Sequence, residues 1–214
     1  VIQKLFGVFS IFAVSAALLL AAFTPMHAAP NNSLVANGSF TEQQGTAAIN
    51  WQTDSWGTLS PTFSLNSSGA DDTASARVAI SAYTDGDAKW TFTPVAVTAD
   101  RTYTYTDASK SDVTTHLWAK FSLADGTVQY KWLKDIAPST TWKTVTASIT
   151  APAGVSTLTV MHTINAVGSL DLDAVTLTED KQCAKDLSDG VYNGSFELNC
   201  IKQDAPDFWT ANSY

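Results

Sequence analysis

Thr114-Thr115-His116-Leu117-Trp118-Ala119-Lys120-Phe121-Ser122-Leu123-Ala124-Asp125-Gly126-Thr127-Val128-Gln129-Tyr130-Lys131-Trp132-Leu133 is the stretch whose reading decides the fold. Leu117, Ala119, Phe121 and Leu123 alternate with His116, Trp118, Lys120 and Ser122, the period-two pattern of a strand with one face on a core. Asp125-Gly126 marks a tight hairpin, because Gly tolerates the positive φ that a two-residue connection demands. With Ala124 opposite Thr127, Leu123 pairs with Val128, Phe121 with Tyr130 and Ala119 with Trp132, and that apolar face is expected to be core. The other face then carries His116, Trp118, Lys120 and Ser122 across from Gln129, Lys131 and Leu133. It is a polar surface with one large aromatic, Trp118, and so the candidate binding surface.

Outward from the hairpin the same period recurs at 77–82, 89–97, 102–107, 143–150, 156–164 and 170–178, in runs rich in Val, Thr, Tyr, Phe and Trp broken by Gly, Pro, Asn and Asp. No helical period competes. The expected fold is all-β, a two-sheet antiparallel β-sandwich, preceded by an N-terminal signal helix. That helix is the segment 1–29, where Lys4 precedes a long apolar run, the pattern of a bacterial-type export signal, either a cleaved peptide or an uncleaved anchor. The protein is accordingly expected to be secreted or displayed at the cell surface, touching a membrane only through such an anchor.

The formal net charge is -8 and the charged fraction 15%, with acids scattered rather than blocked, which argues against nucleic acid as a partner. Cys183 and Cys200 are the only cysteines, so the body of the protein must hold together without disulfides.

Val35-Ala36-Asn37-Gly38-Ser39-Phe40 recurs as Val191-Tyr192-Asn193-Gly194-Ser195-Phe196, and Trp51-Gln52-Thr53-Asp54-Ser55-Trp56 is echoed by Trp209-Thr210-Ala211-Asn212-Ser213-Tyr214. A repeat of this kind implies tandem modules. The expected organisation is a module at 34–179, a linker at 180–190 and, at 191–214, the start of a second, truncated module.

The opening Asn37-Gly38-Ser39-Phe40-Thr41 and the closing Asp173-Ala174-Val175-Thr176-Leu177 resemble the jelly-roll carbohydrate-binding modules of families 4, 9 and 22, galactose-binding-domain-like folds. Trp51, Gly69 before Ala76-Arg77-Val78, Tyr103, Trp142 and Ala151-Pro152 look similar in order and spacing. The resemblance implies a non-catalytic module that binds a polysaccharide or cell-wall glycan, as a monomeric unit of a carbohydrate-active protein. It also implies a structural Ca2+ tying the first strand to the last, with Asp173 as the residue that carries over and Asp71 and Asp72 as additions. Thr41 stands where the family has Glu, and Ala174 where it has a second Asp.

A sugar site needs flat aromatic faces for the apolar side of a pyranose and planar polar groups for its hydroxyls. Phe40, Trp51, Phe92, Tyr103, Phe121 and Trp142 are read as core. Trp118 is the leading sugar-binding candidate, with His116, Lys120, Gln129 and Lys131 on its face and Tyr83 and Trp90 at a rim. Catalysis has less support. The acids sit in turns such as Asp85-Gly86-Asp87, His116 and His162 stand apart without metal spacing, and no Gly-x-Ser-x-Gly occurs. The alternative function is a structural or adhesive spacer that keeps the sandwich without a sugar site.

Overall fold

The alternation read in the sequence carries through a computed structural model of the chain, which describes residues 32–71 and 74–180; every element among them is a β-strand. In chain order they are β1 (Gln43–Gln44), β2 (Ala47–Ala48), β3 (Trp51–Trp56), β4 (Leu59–Asn66), β5 (Ser75–Tyr83), β6 (Asp87–Phe92) and β7 (Val95–Ala96). There follow β8 (Thr102–Ser111), β9 (Thr115–Leu123), β10 (Val128–Ile136), β11 (Ser139–Thr150), β12 (Val155–Ile164) and β13 (Gly168–Glu179). One sheet runs β10-β9-β12-β6-β3, with β7 also on β12; the other runs β11-β8-β13-β5-β4; β1 and β2 form a small ribbon. The pairings are antiparallel throughout. The segment 1–29, most of the linker, the repeat at 191–214 and both cysteines lie outside the described residues.

The core lies between the sheets, and alternation supplies it. Leu117, Ala119 and Phe121 of β9 and Leu158 and Val160 of β12 are buried, as are Tyr103 and Tyr105 of β8 and Leu170, Leu172 and Leu177 of β13. Each Leu, Val or Phe among them, fully withdrawn from water, contributes about 1.5–3 kcal/mol before the loss of conformational entropy. Phe40 packs on Trp51 at 4.4 Å between ring centroids and on Trp90 at 6.3 Å, while Phe63 meets Trp90 edge-on at 5.9 Å. The opening motif is structural. Asn37 Nδ2 donates to the carbonyls of Glu42 and Ile49, its Oδ1 accepts from the Glu42 amide, and the Val175 amide of the last strand donates to the Gly38 carbonyl. Those bonds sew the chain's opening loop to β13 and press Phe40 into the core.

The hairpin register differs by one residue from the expectation. Gly126 N–H donates to the Leu123 carbonyl and Leu123 N–H to the Thr127 carbonyl, so the loop has three residues, Ala124-Asp125-Gly126, with Gly126 at φ +87°. This is a type I turn closed by a left-handed glycine and a bulge. Asp125 Oδ1 holds it by accepting from both the amide and the hydroxyl of Thr127, and those bonds keep its carboxyl below the usual range. Val128 therefore faces Ser122, Gln129 faces Phe121, Tyr130 faces Lys120, Lys131 faces Ala119 and Trp132 faces Trp118. Tyr130 and Trp132 leave the expected core for the outer face, and both are exposed.

Trp142, expected in the core, is half-buried instead. It sits where β11 shifts register against β8, and its ring meets Lys110 Nζ at 4.8 Å. The core also contains a polar cluster that bridges the two sheets. His162 of β12, rather than standing apart, pairs through Nδ1 with Asp107 of β8 at 2.9 Å and through Nε2 with Thr115 Oγ1 at 2.7 Å, and the Tyr105 hydroxyl donates to the same Asp107 oxygen. Burial first, then the Asp107 charge, raises the Tyr105 phenol well above its ordinary range.

Candidate functional site

The outward face of the β10-β9-β12-β6-β3 sheet forms a groove of about 480 Å³. Strand pairing sets its floor in rungs. One rung runs Trp132, Trp118, Met161 across β10, β9 and β12; the next runs Asp135, His116, Thr163, Lys89, Asp54 from β10 to β3; Tyr130 and Lys120 begin the rung on the other side. Trp118 is half-buried in the floor. At the β3 edge Trp56 stands 61% exposed, and at the β10 edge Tyr130 and Trp132 stand 60% and 52% exposed, so aromatic side chains rise at both margins.

Polar bonds hold these aromatics in place. Lys89, buried in the floor, places its ammonium 2.6 Å from Asp87 and 3.1 Å from Asp54, which satisfies a charge that burial would otherwise penalise. Asp87 in turn accepts the Trp56 indole N–H at 2.8 Å. Gly86, at φ +97°, lets the backbone before Asp87 lie against the Trp56 carbonyl, where no side chain would fit. On the opposite margin Asp135 Oδ1 accepts the Trp132 indole N–H at 3.2 Å and meets His116 Nδ1 at 2.6 Å. Hydrogen bonds from His116 first, then Trp132, hold the Asp135 carboxyl below its usual range. Lys120 Nζ lies 6.0 Å from the Tyr130 ring centroid.

Of the residues singled out from sequence, Trp118, His116 and Lys120 share this face. Gln129 and Lys131 do not: the three-residue loop turns them to the opposite side, opposite Phe121 and Ala119. Trp90 is a core residue, 5% exposed with its indole N–H donated to the Arg77 carbonyl, and has no surface to offer a ligand. Tyr83 is exposed at the end of β5 in the other sheet, donating to the Gly86 carbonyl, and does not line the groove. Trp56, Tyr130, Trp132 and Lys89 were not anticipated. Reading the hairpin loop as three residues would have found Tyr130 and Trp132, since the shift brings both to Trp118's side.

Asp173 is fully buried next to the opening loop. Its Oδ2 accepts the Ala70 amide at 2.7 Å and its Oδ1 the Ala174 amide at 2.6 Å, and Gly69 lies so close that a Cβ there would strike the carboxylate. Burial, only partly offset by these amides, raises its carboxyl to about 6. A buried carboxylate carrying such a penalty, beside Asp71 and the Ala74 carbonyl, is the donor chemistry a hard cation suits. Asp72 lies outside the described residues, and among those described no three acidic, His or Cys side chains cluster.

No family model matches the sequence, and no match was found among curated proteins. Solved structures do match. The enzymatically active domain of tailspike protein 4 from bacteriophage CBA120 is 17% identical with a TM-score of 0.59, over 69% of this chain and 21% of that one. A xylan-binding domain of carbohydrate-binding module family 22 is 14% identical with a TM-score of 0.50, over 70% of this chain and 97% of that one. The fold is similar to that of a carbohydrate-binding module. An arabinose-bound α-L-arabinofuranosidase, MgGH51, matches at 14% identity and a TM-score of 0.55, over 71% of this chain and 27% of that one. The chain thus spans about a fifth of the tailspike chain and about a quarter of the arabinofuranosidase chain, and the likeness is one of fold, shared by enzymes and a binding domain alike.

Proposed function

We propose that the groove binds a polysaccharide chain without cleaving it, and that the module keeps an exported, carbohydrate-active protein on a glycan such as a cell-wall polymer. The observation that carries this reading is the set of indoles and phenol at the groove: Trp118 in the floor, Trp56 on one margin, Tyr130 and Trp132 on the other. Flat aromatic faces stack on the apolar faces of sugar rings, and Lys89, Asp54, Asp87 and Lys120 supply charged donors and acceptors for hydroxyls between them. The groove's acids do not suggest hydrolysis: Asp54 and Asp87 are both tied to Lys89, and Asp135 is kept ionised by His116 and Trp132. A spacer without a sugar site has no use for three exposed aromatics on one face.

A structural Ca2+ at Asp173 belongs to the same proposal, supported by the buried carboxylate and the Gly69 cradle. There the ion would neutralise a charge that burial disfavours and brace β13 against the 69–71 loop.

Affinity electrophoresis of the full chain through gels holding xylan, β-glucan, chitin or peptidoglycan fragments tests the reading. Retardation by one polymer, abolished by Trp118→Ala in a protein that still melts cooperatively, is expected. Unretarded migration with every polymer would transfer the assignment to a spacer.

A further inference from the structure

His116 lies beneath the β10 margin of the groove, between two oxygens. Its Nδ1 is 2.6 Å from Asp135 Oδ1, and its Nε2 is 3.0 Å from Asn165 Oδ1. An imidazolium donates from both nitrogens and satisfies both oxygens together; a neutral ring has one N–H and must turn a lone pair toward one of them, or wait for the Asn165 amide to turn over. The oxygen held by Nδ1 is also the one that accepts the Trp132 indole N–H. Asp135 is itself exposed and lies just past the register shift between Trp132 and Lys134, where its pairing with His116 brings the carboxylate to the imidazole. His116 is thus the anchored end of a relay, His116 to Asp135 to Trp132, that sets the angle of an exposed indole flanking the groove beside Trp118.

We infer that His116 is a positioning residue for Trp132 and makes the groove pH-sensitive, gripping its ligand more tightly when the imidazole is protonated. The consequence for affinity rests on the proposed sugar-binding reading; the relay itself does not. Imidazole is the side chain whose charge ordinarily changes between pH 5 and 8. The other charged groups around it have partners of their own. Asp135 on β10 is held below the usual carboxylate range by the His116 and Trp132 hydrogen bonds. Across Thr163 of β12, Lys89 of β6 is held between Asp54 and Asp87. On β9 itself Lys120 stands two rungs along against Tyr130. Lys134 of β10 donates away from the groove to the Thr146 carbonyl. His162, the other histidine of this sheet, faces the core, one residue out of phase with the groove.

When the imidazolium loses its proton, the charge-assisted bond to Asp135 weakens, the carboxylate is free to rotate into solvent, and Trp132 loses the acceptor that fixes its plane. An exposed charge pair of this kind changes affinity only modestly, so about two- to fivefold weaker binding at pH 8 than at pH 5.5 is expected.

The test uses the full chain, 15N-labelled and free of ligand. The Trp132 indole N–H, assigned by its loss in Trp132→Phe, should titrate with the midpoint of the His116 imidazole and not with that of His162, and should lie flat in His116→Gln. A second arm measures retardation by the polymer that binds, at pH 5.5 and pH 8, for wild type and His116→Gln; the variant should lose the pH dependence while retaining binding. An indole that ignores His116, or a His116→Gln protein with the wild-type pH ratio, overturns the inference. Should no polymer bind, the proposed function falls while the indole titration still decides the relay.

Discussion

Replacing His162 with Leu should destabilise the sandwich strongly, and the structure sets the size of the loss. His162 and Asp107 both have side chains at 0% exposure, one on each sheet, and Asp107 Oδ1 has no hydrogen-bond partner among the described residues. Removing the imidazole leaves the carboxylate in the core with the Tyr105 hydroxyl as its remaining donor. Stranding one member of a buried pair costs about 3–5 kcal/mol. At about 2–4 °C per kcal/mol for a domain of this size, the midpoint of thermal unfolding should fall by roughly 6–20 °C. The loss arises from the stranded charge rather than from missing attraction, so a triple variant, Asp107→Leu with His162→Leu and Tyr105→Phe, should recover most of it. Circular dichroism melts of the four proteins, with Asp107→Leu alone as the fourth, close the comparison. A His162→Leu protein melting within about 2 °C of wild type, or a triple variant no better than the single, would refute the argument.

Further outcomes are expected from the same fold. Asp173, raised to about 6 by burial, holds a proton in the folded protein that the unfolded chain releases above about pH 4. Its contribution to stability is therefore full below about pH 4 and lost as pH rises through 6. Melts from pH 4 to 7 should show this fall in wild type and not in Asp173→Asn, and added calcium at pH 7 should raise the wild-type midpoint alone. Gly126→Ala, at φ +87° with open space around the position, should cost about 1–2 kcal/mol of backbone strain in urea unfolding, and Gly126→Asn less. Trp56→Ala should weaken polymer binding about tenfold or more with little change in melting, because the ring is 61% exposed.

The sandwich was legible because alternation along strands such as β8, β9 and β12 is a direct record of which face meets the core. The groove was legible in part, and the failure has one physical origin. Asp125-Gly126 fits both a two-residue loop and the last two positions of a three-residue loop, and a one-residue slip carries every side chain of β10 to the other face. Trp118, His116 and Lys120 sit on β9, whose own alternation fixes the face they share. Gln129 and Lys131 depended on the register across the turn and were misplaced together with Tyr130 and Trp132. Trp90, at the start of the strand after the 81–86 stretch, reads as a rim residue, but alternation within β6 sends it to the core while Lys89 takes the groove face between two carboxylates. The Asp107–His162 pair joins strands 55 residues apart across the sheets, a contact that no local pattern announces.

The most direct test of the central claim is the set of indole N–H signals of the 15N-labelled protein as soluble oligosaccharides cut from xylan, β-glucan, chitin and peptidoglycan are added in turn. One of them should shift the signals of Trp56, Trp118 and Trp132 together and leave those of core Trp51 and Trp90 in place. Shifts confined to other tryptophans, or none with any oligosaccharide, would contradict it.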